Sequence, residues 1–131
     1  MSSETPTGVG DGSTPDVGEV VRFEVVEHGG GAVVVGVIGE IDTMTGPVVG
    51  EQLSGQLTAA DLVVVDMSRV TFLGSAGLAA LVAAKDEADR AGKRLRLVCG
   101  SHTVTRALEA TGLMSVFDVA DGVPEALQTA G

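Results

Sequence analysis

Leu62-Val63-Val64-Val65 is an unbroken apolar run, three of its four residues β-branched, and segments of helical pattern stand on both sides of it. A run with no polar alternation has no face to offer to water, so it reads as a central strand buried within a sheet. Residues 47–57 before it read as a helix, with Pro47 near the first turn and Val48, Leu53 and Leu57 on one apolar face. Residues 75–91 after it form the strongest helical pattern. There Leu78, Leu81 and Val82 share a face, Lys85, Asp86, Asp89 and Arg90 stand at spacings that allow i,i+4 pairing, and Gly92 ends the segment. A strand over 95–99, a helix over 103–110 stopped near Gly112, a strand over 116–119 and a helix over 124–129 continue the alternation. Strands separated by helices predict an α/β fold with a mostly parallel central sheet and covering helices.

The beginning of this pattern differs. From Val20, Phe23 and Val25 alternate with Arg22 and Glu24 as in a half-exposed strand. Gly29-Gly30-Gly31 supplies a turn, and residues 32–38 return as a more deeply buried strand, so an N-terminal antiparallel hairpin is expected at the sheet edge. Residues 1–19 are rich in Ser, Thr, Gly, Pro and Asp and lack the apolar content to offset ordering entropy. The expected organisation is a disordered N-terminal tail, 1–19, and a single domain, 20–131. With three Phe and neither Tyr nor Trp, the core must be built from Val, Leu, Ile, Ala and Met.

Charge narrows the function. A formal net charge of −10 argues against direct binding to nucleic acid or to an anionic membrane, both of which attract clustered Lys and Arg. Basic protein partners suit it better. Cys99 is the chain's one cysteine and follows an apolar run, as expected of a buried thiol in a reducing cytoplasm. No apolar segment has the length of a signal peptide core or a membrane span, so the expectation is a cytoplasmic protein.

Two segments carry chemistry. Residues 66–78, Asp66-Met67-Ser68-Arg69-Val70-Thr71-Phe72-Leu73-Gly74-Ser75-Ala76-Gly77-Leu78, read as a strand ending in Asp66, a short connection and a small-residue turn opening a helix. Gly39-Glu40-Ile41-Asp42 follows the second strand. In order and spacing the two segments resemble the signature of the STAS domain family, which includes the bacterial anti-sigma factor antagonists, and the likeness extends over residues 20–129. The resemblance implies a single STAS-like domain whose Ser75 is phosphorylated by a cognate anti-sigma factor with ATP-dependent serine kinase activity. It further implies that the unmodified form binds that factor and releases a sigma factor, that the phosphorylated form does not bind, and that a serine phosphatase restores it. On this reading Asp42, Thr43, Gly74, Ser75, Ala76 and Gly77 form the partner-binding surface, the protein is not an enzyme, needs no cofactor, and is a monomer when free. Gly74 stands where the family usually has Asp, and Ala76 where it usually has Ser or Thr.

The same residues also have plainer readings. Ser75, just before an apolar-periodic run, suits a helix N-cap, and Gly74, Ala76 and Gly77 around it would leave backbone amides open to a phosphate at a helix N-terminus. Asp42 or Thr43 suits a turn that accepts backbone bonds. Asp66 suits a structural role. A hydrolase triad of Ser75, His102 and Asp42 or Asp66 is a poor fit, because Gly74-Ser75-Ala76-Gly77 is not a Gly-x-Ser-x-Gly elbow and His102 beside Ser101 suits a helix start. One Cys with the distant His28 and His102 makes no metal ligand set, and Gly29-Gly30-Gly31 lacks the Lys-Ser/Thr of a phosphate-binding loop. Within the same fold, the alternative function is a scaffold or complex subunit that is never phosphorylated, including one serving a lipid transporter.

Overall fold

A computed structural model describes residues 21–128. Strands β1 (Val21–Glu27) and β2 (Ala32–Ile41) form the expected hairpin, in register from Val21 opposite Gly39 to Glu27 opposite Val33. Its turn needs glycine, since Gly29, Gly30 and Gly31 all have positive φ, at 56°, 65° and 82°. Helix α1 (Gly46–Ala59), strand β3 (Leu62–Leu73), helix α2 (Ser75–Ala91), strand β4 (Arg94–Val98), helix α3 (His102–Ala110), strand β5 (Asp118–Ala120) and helix α4 (Val123–Leu127) follow. The strands lie in chain order, β1-β2-β3-β4-β5, with β1 antiparallel and the other pairings parallel. The α/β architecture with a mostly parallel sheet and an antiparallel edge is therefore as the sequence predicts. The expected tail, Val20 and Thr129 lie outside the described residues.

The two faces of the sheet are unequal. Val33, Val35 and Val37 of β2, Val63, Val65 and Met67 of β3, and Leu95 and Leu97 of β4 point to one side, into a core closed by Leu53 and Leu57 of α1, Leu81 of α2 and Leu108 of α3. The period-2 geometry of strands sends Val34, Leu62, Val64, Val98 and Ala120 to the other side, where Ala126 of the short α4 covers them. Arg96 holds α4 in place. Its Nη1 donates to the carbonyls of Glu125 and Ala126, both at 3.3 Å, while its Nε sits 3.0 Å from Asp118 Oδ2. Lys85 and Asp89 of α2 form the i,i+4 ion pair at 2.8 Å. Strand β4 ends at Val98, so Cys99 lies one residue past it rather than closing it; Cys99 is buried, and that burial raises its thiol pKa, making it a poor nucleophile.

Several boundaries differ from expectation, each for a local reason. Residues 68–72 are not a connection, because β3 runs on through them to Leu73, and Asp66 lies mid-strand rather than at its end. Met67, Val70 and Leu73 are buried with two exposed residues between each, and register shifts against β2 interrupt the period-2 pattern. In α1, which begins at Gly46, the inward residue is Val49 rather than Val48, because 49, 53 and 57 stand at i,i+4,i+8 on one helix face. Strand β5 starts at Asp118, leaving Phe117 as a buried residue ahead of it. Ser101 is the N-cap of α3, its hydroxyl accepting from the Val104 amide at 3.4 Å, so that helix starts at His102.

Candidate functional site

Strands β2 and β3 are parallel neighbours that end together, Ile41 opposite Leu73. The residues that follow them, Asp42 and Gly74, are thereby delivered to one end of the sheet, where α/β folds gather their sites. The Gly74 amide donates to the Ile41 carbonyl at 2.9 Å and ties the two segments together.

The β2–α1 turn is organised by Asp42 and Thr45. Asp42 Oδ1 accepts from the amides of Met44 at 2.9 Å and Thr45 at 3.0 Å. Thr45 is fully buried; its hydroxyl accepts from the Asp42 amide at 2.8 Å and donates to the Glu40 carbonyl at 2.9 Å. These bonds, the one from the Thr45 amide foremost, hold the Asp42 carboxyl below the ordinary carboxylate range. A carboxylate with a depressed folded pKa stabilises the fold above its unfolded pKa, and the contribution is lost as pH falls through the folded value. The turn should therefore loosen only in acid, below the ordinary aspartate range. Amide shifts of Met44 and Thr45 followed by NMR across an acid titration check this, and a midpoint at or above that of an ordinary aspartate would contradict it.

Ser75 is exposed and, as the helical pattern over 75–91 predicts, opens the helix, but it is not the N-cap. It is the first residue inside α2, while Gly74 is the N-cap, with extended backbone (φ −92°, ψ −176°) and no side chain to bond the first turn. The Gly74 carbonyl accepts from the amides of Gly77 at 3.0 Å and Leu78 at 3.1 Å. The Ser75 hydroxyl thus sits at the positive end of a helix of 17 residues. Gly74→Asp should leave stability within about 1 kcal/mol of the parent, since any residue adopts this φ and Asp is a good N-cap. A β-carbon there would meet Cε2 of Phe72 at 3.0 Å, the tip of a half-exposed ring that can swing away. Thermal unfolding tests this, a large loss being the contrary result.

The remaining expected site residues divide between surface and packing. Thr43 is exposed and Asp42 half-buried, both on the turn beside Gly74. Ala76 is half-buried against α1: a β-carbon on Gly46 would lie 2.9 Å from the carbonyl carbon, β-carbon and oxygen of Ala76. Gly77 is buried, and a β-carbon on it would lie 2.6 Å from both Ile41 Cγ2 and Leu73 Cδ1. Gly46 and Gly77 are thus the contacts that let α1, α2 and the two strand ends close up. Two neighbours escaped sequence reasoning: Met44 is 70% exposed and Phe72 50%. A Phe beside Thr71 in a segment read as loop offered no signal, whereas the Asp42-x-x-Thr45 spacing of a side-chain-bonded turn was available in the sequence.

The hydrolase arrangement through Asp66 fails on geometry. Asp66 accepts from the Ser68 amide and hydroxyl at 3.1 and 2.8 Å, and the strand between it and Leu73 at the site end, residues 67–72, holds the two about 20 Å apart. Among the described residues, no three His, Cys, Asp or Glu side chains cluster so as to hold a metal ion, and no helix is long and apolar enough to cross a membrane.

The fold is shared with known proteins. It superposes on an anti-sigma factor antagonist from Mycobacterium paratuberculosis with a TM-score of 0.71 at 29% identity, covering 88% of this chain and 95% of that one. The phosphorylated form of the Bacillus cell fate determinant SpoIIAA matches with a TM-score of 0.65 at 20% identity, over 84% of this chain and 100% of that one. A sulfate transporter family protein from Wolinella succinogenes gives 0.64 at 21% identity, over 78% and 86% of the two chains. The STAS domain profile matches residues 23–126, a span that takes in both strand ends, the Asp42 turn and Ser75. The chain belongs to the STAS domain family.

Proposed function

We propose that this chain is an anti-sigma factor antagonist. Unmodified, it binds an anti-sigma factor and so releases a sigma factor for transcription; phosphorylation of Ser75 by the serine kinase activity of that partner ends binding, and a serine phosphatase restores it. The observation that carries the reading is the position of Ser75: an exposed hydroxyl on the first residue of α2, beside the Asp42 turn, on a fold similar to that of the Mycobacterium antagonist. Phosphate attached there meets first-turn amides and the positive helix end, so the modified chain stays folded. The protein acts in the cytoplasm by binding rather than by catalysis, through a surface of Asp42, Thr43, Gly74 and Ser75 supported by Ala76 and Gly77.

Gly74 sets the response of the switch rather than the fold, since it leaves the phosphoacceptor without an acidic neighbour in sequence. Recovery of partners from lysate by the immobilised chain, followed by incubation with ATP and intact mass measurement, tests the proposal. The expected result is an anti-sigma factor among the retained proteins and a mass gain of one phosphate that Ser75→Ala abolishes. Retention of a transporter component with no mass gain would instead support the scaffold reading, which the likeness to the Wolinella protein favours.

A further inference from the structure

We infer that Thr45 is a positioning residue for partner recognition: its buried hydroxyl fixes the Asp42 turn so that Asp42 meets the partner through Oδ2 alone, with a single hydrogen-bond donor on the partner's side. The inference rests on the function proposed above. Thr45 carries the one buried polar side chain among the described residues. It also stands at the N-cap of α1, where a threonine ordinarily spends its hydroxyl on an amide of the first turn. Here it does not. No side-chain capping bond forms, and the hydroxyl is turned back to the end of β2 instead. A cap given up at a helix start forgoes stability, and departures of this kind gather where a site has to be held.

Every bond of that hydroxyl serves the turn. Thr45 Oγ1 accepts from the Asp42 amide at 2.8 Å, and its single proton lies between the Glu40 carbonyl at 2.9 Å and Asp42 Oδ1 at 3.1 Å. The amides of Met44 and Thr45 donate to the same Oδ1 at 2.9 and 3.0 Å. That oxygen is therefore saturated. Oδ2 has no hydrogen-bond partner among the described residues. The carboxylate can take one N–H donor from a partner, but not the two parallel bonds of a guanidinium fork, which need both oxygens.

The turn also fixes where this acceptor stands. Ile41, the residue before Asp42, accepts from the amide of Gly74, the residue before Ser75, at 2.9 Å, so Asp42 keeps its place beside the phosphoacceptor only while the turn keeps its shape. Without the Thr45 hydroxyl the Asp42 amide loses its acceptor and the turn relaxes.

The test joins NMR titration of the Asp42 carboxyl to calorimetry against the protein that the wild-type chain retains from lysate, both below the thermal midpoint of each variant. Thr45→Val keeps the side-chain shape without the hydroxyl, and Thr45→Ser keeps the hydroxyl. Asp42→Asn keeps an oxygen for the turn amides but puts a donor where Oδ2 stands. Val64→Ala, which removes buried methyls on the other face of the sheet, is the destabilised control. Thr45→Val is expected to move the Asp42 titration up toward the ordinary carboxylate range and to weaken binding at least ~10-fold, and Thr45→Ser to return both to near wild type. Asp42→Asn is expected to lose as much affinity while the Met44 and Thr45 amides stay protected from exchange, and Val64→Ala to bind as wild type. Wild-type affinity in a folded Thr45→Val, or a loss that Thr45→Ser or Val64→Ala shares, would overturn the inference. If the retained protein is not an anti-sigma factor, the functional reading fails, and the same comparisons made with that protein uphold or overturn the role of Thr45.

Discussion

Gly46→Val should lower stability by about 3 kcal/mol and the thermal midpoint by roughly 10 °C or more, while Gly55→Ala in the same helix should raise both slightly. Both glycines lie in α1, and by propensity alone each replacement would help or do little harm. Their surroundings differ. A β-carbon at Gly55 meets nothing within 4 Å, so Ala there only restricts the unfolded chain and gains about 0.5–1 kcal/mol. A β-carbon at Gly46 lies 2.9 Å from the backbone carbonyl of Ala76, which cannot swing aside as a side chain would. Relief requires α1 and α2 to part at their first turns, and that separation would pull the Asp42 turn from Ser75. The variant should therefore also lose partner affinity at temperatures where it remains folded. Thermal unfolding of the two variants side by side checks the account, and a midpoint for Gly46→Val within about 3 °C of the parent would contradict it.

That contact was not legible in the sequence. Gly46 precedes a proline at a helix start, and nothing in one chain's letters shows that its missing side chain makes room for a residue thirty positions later. The sheet was legible because Leu62-Val63-Val64-Val65 and the residues around Ala32–Ile38 announce buried strands by composition alone, and helix α2 because its periodicity is long and ends in Gly92. The far half of β3 was not, since a bulged strand with Met67, Val70 and Leu73 inward imitates neither period 2 nor period 3.6. Asp42 and Ser75 were legible as a pair through their motifs, and the structure adds the reason: Ile41 and Leu73 are register partners. What stayed hidden at the site was burial, which separates Gly77 as packing from Ser75 as surface and leaves Met44 and Phe72 in the open.

Charge at Ser75 should abolish partner binding and leave the domain folded. A phosphate adds about −1.5 to −2 charges at pH 7, placed at the first residue of α2, where the helix dipole tolerates it. On the docking surface proposed around Ser75 the same charge would have to be desolvated, and an uncompensated charge there readily costs the roughly 2.7 kcal/mol that a 100-fold loss of affinity requires. Ser75→Asp carries part of that charge and none of the kinase dependence, whereas Ser75→Ala removes the acceptor and keeps the shape. The decisive measurement is calorimetry of wild type, Ser75→Ala and Ser75→Asp against the captured anti-sigma factor, with circular dichroism on each variant. The account predicts wild-type affinity for Ser75→Ala and a loss of about 100-fold for a folded Ser75→Asp; wild-type affinity in a folded Ser75→Asp would contradict it and leave Ser75 as an ordinary first-turn residue.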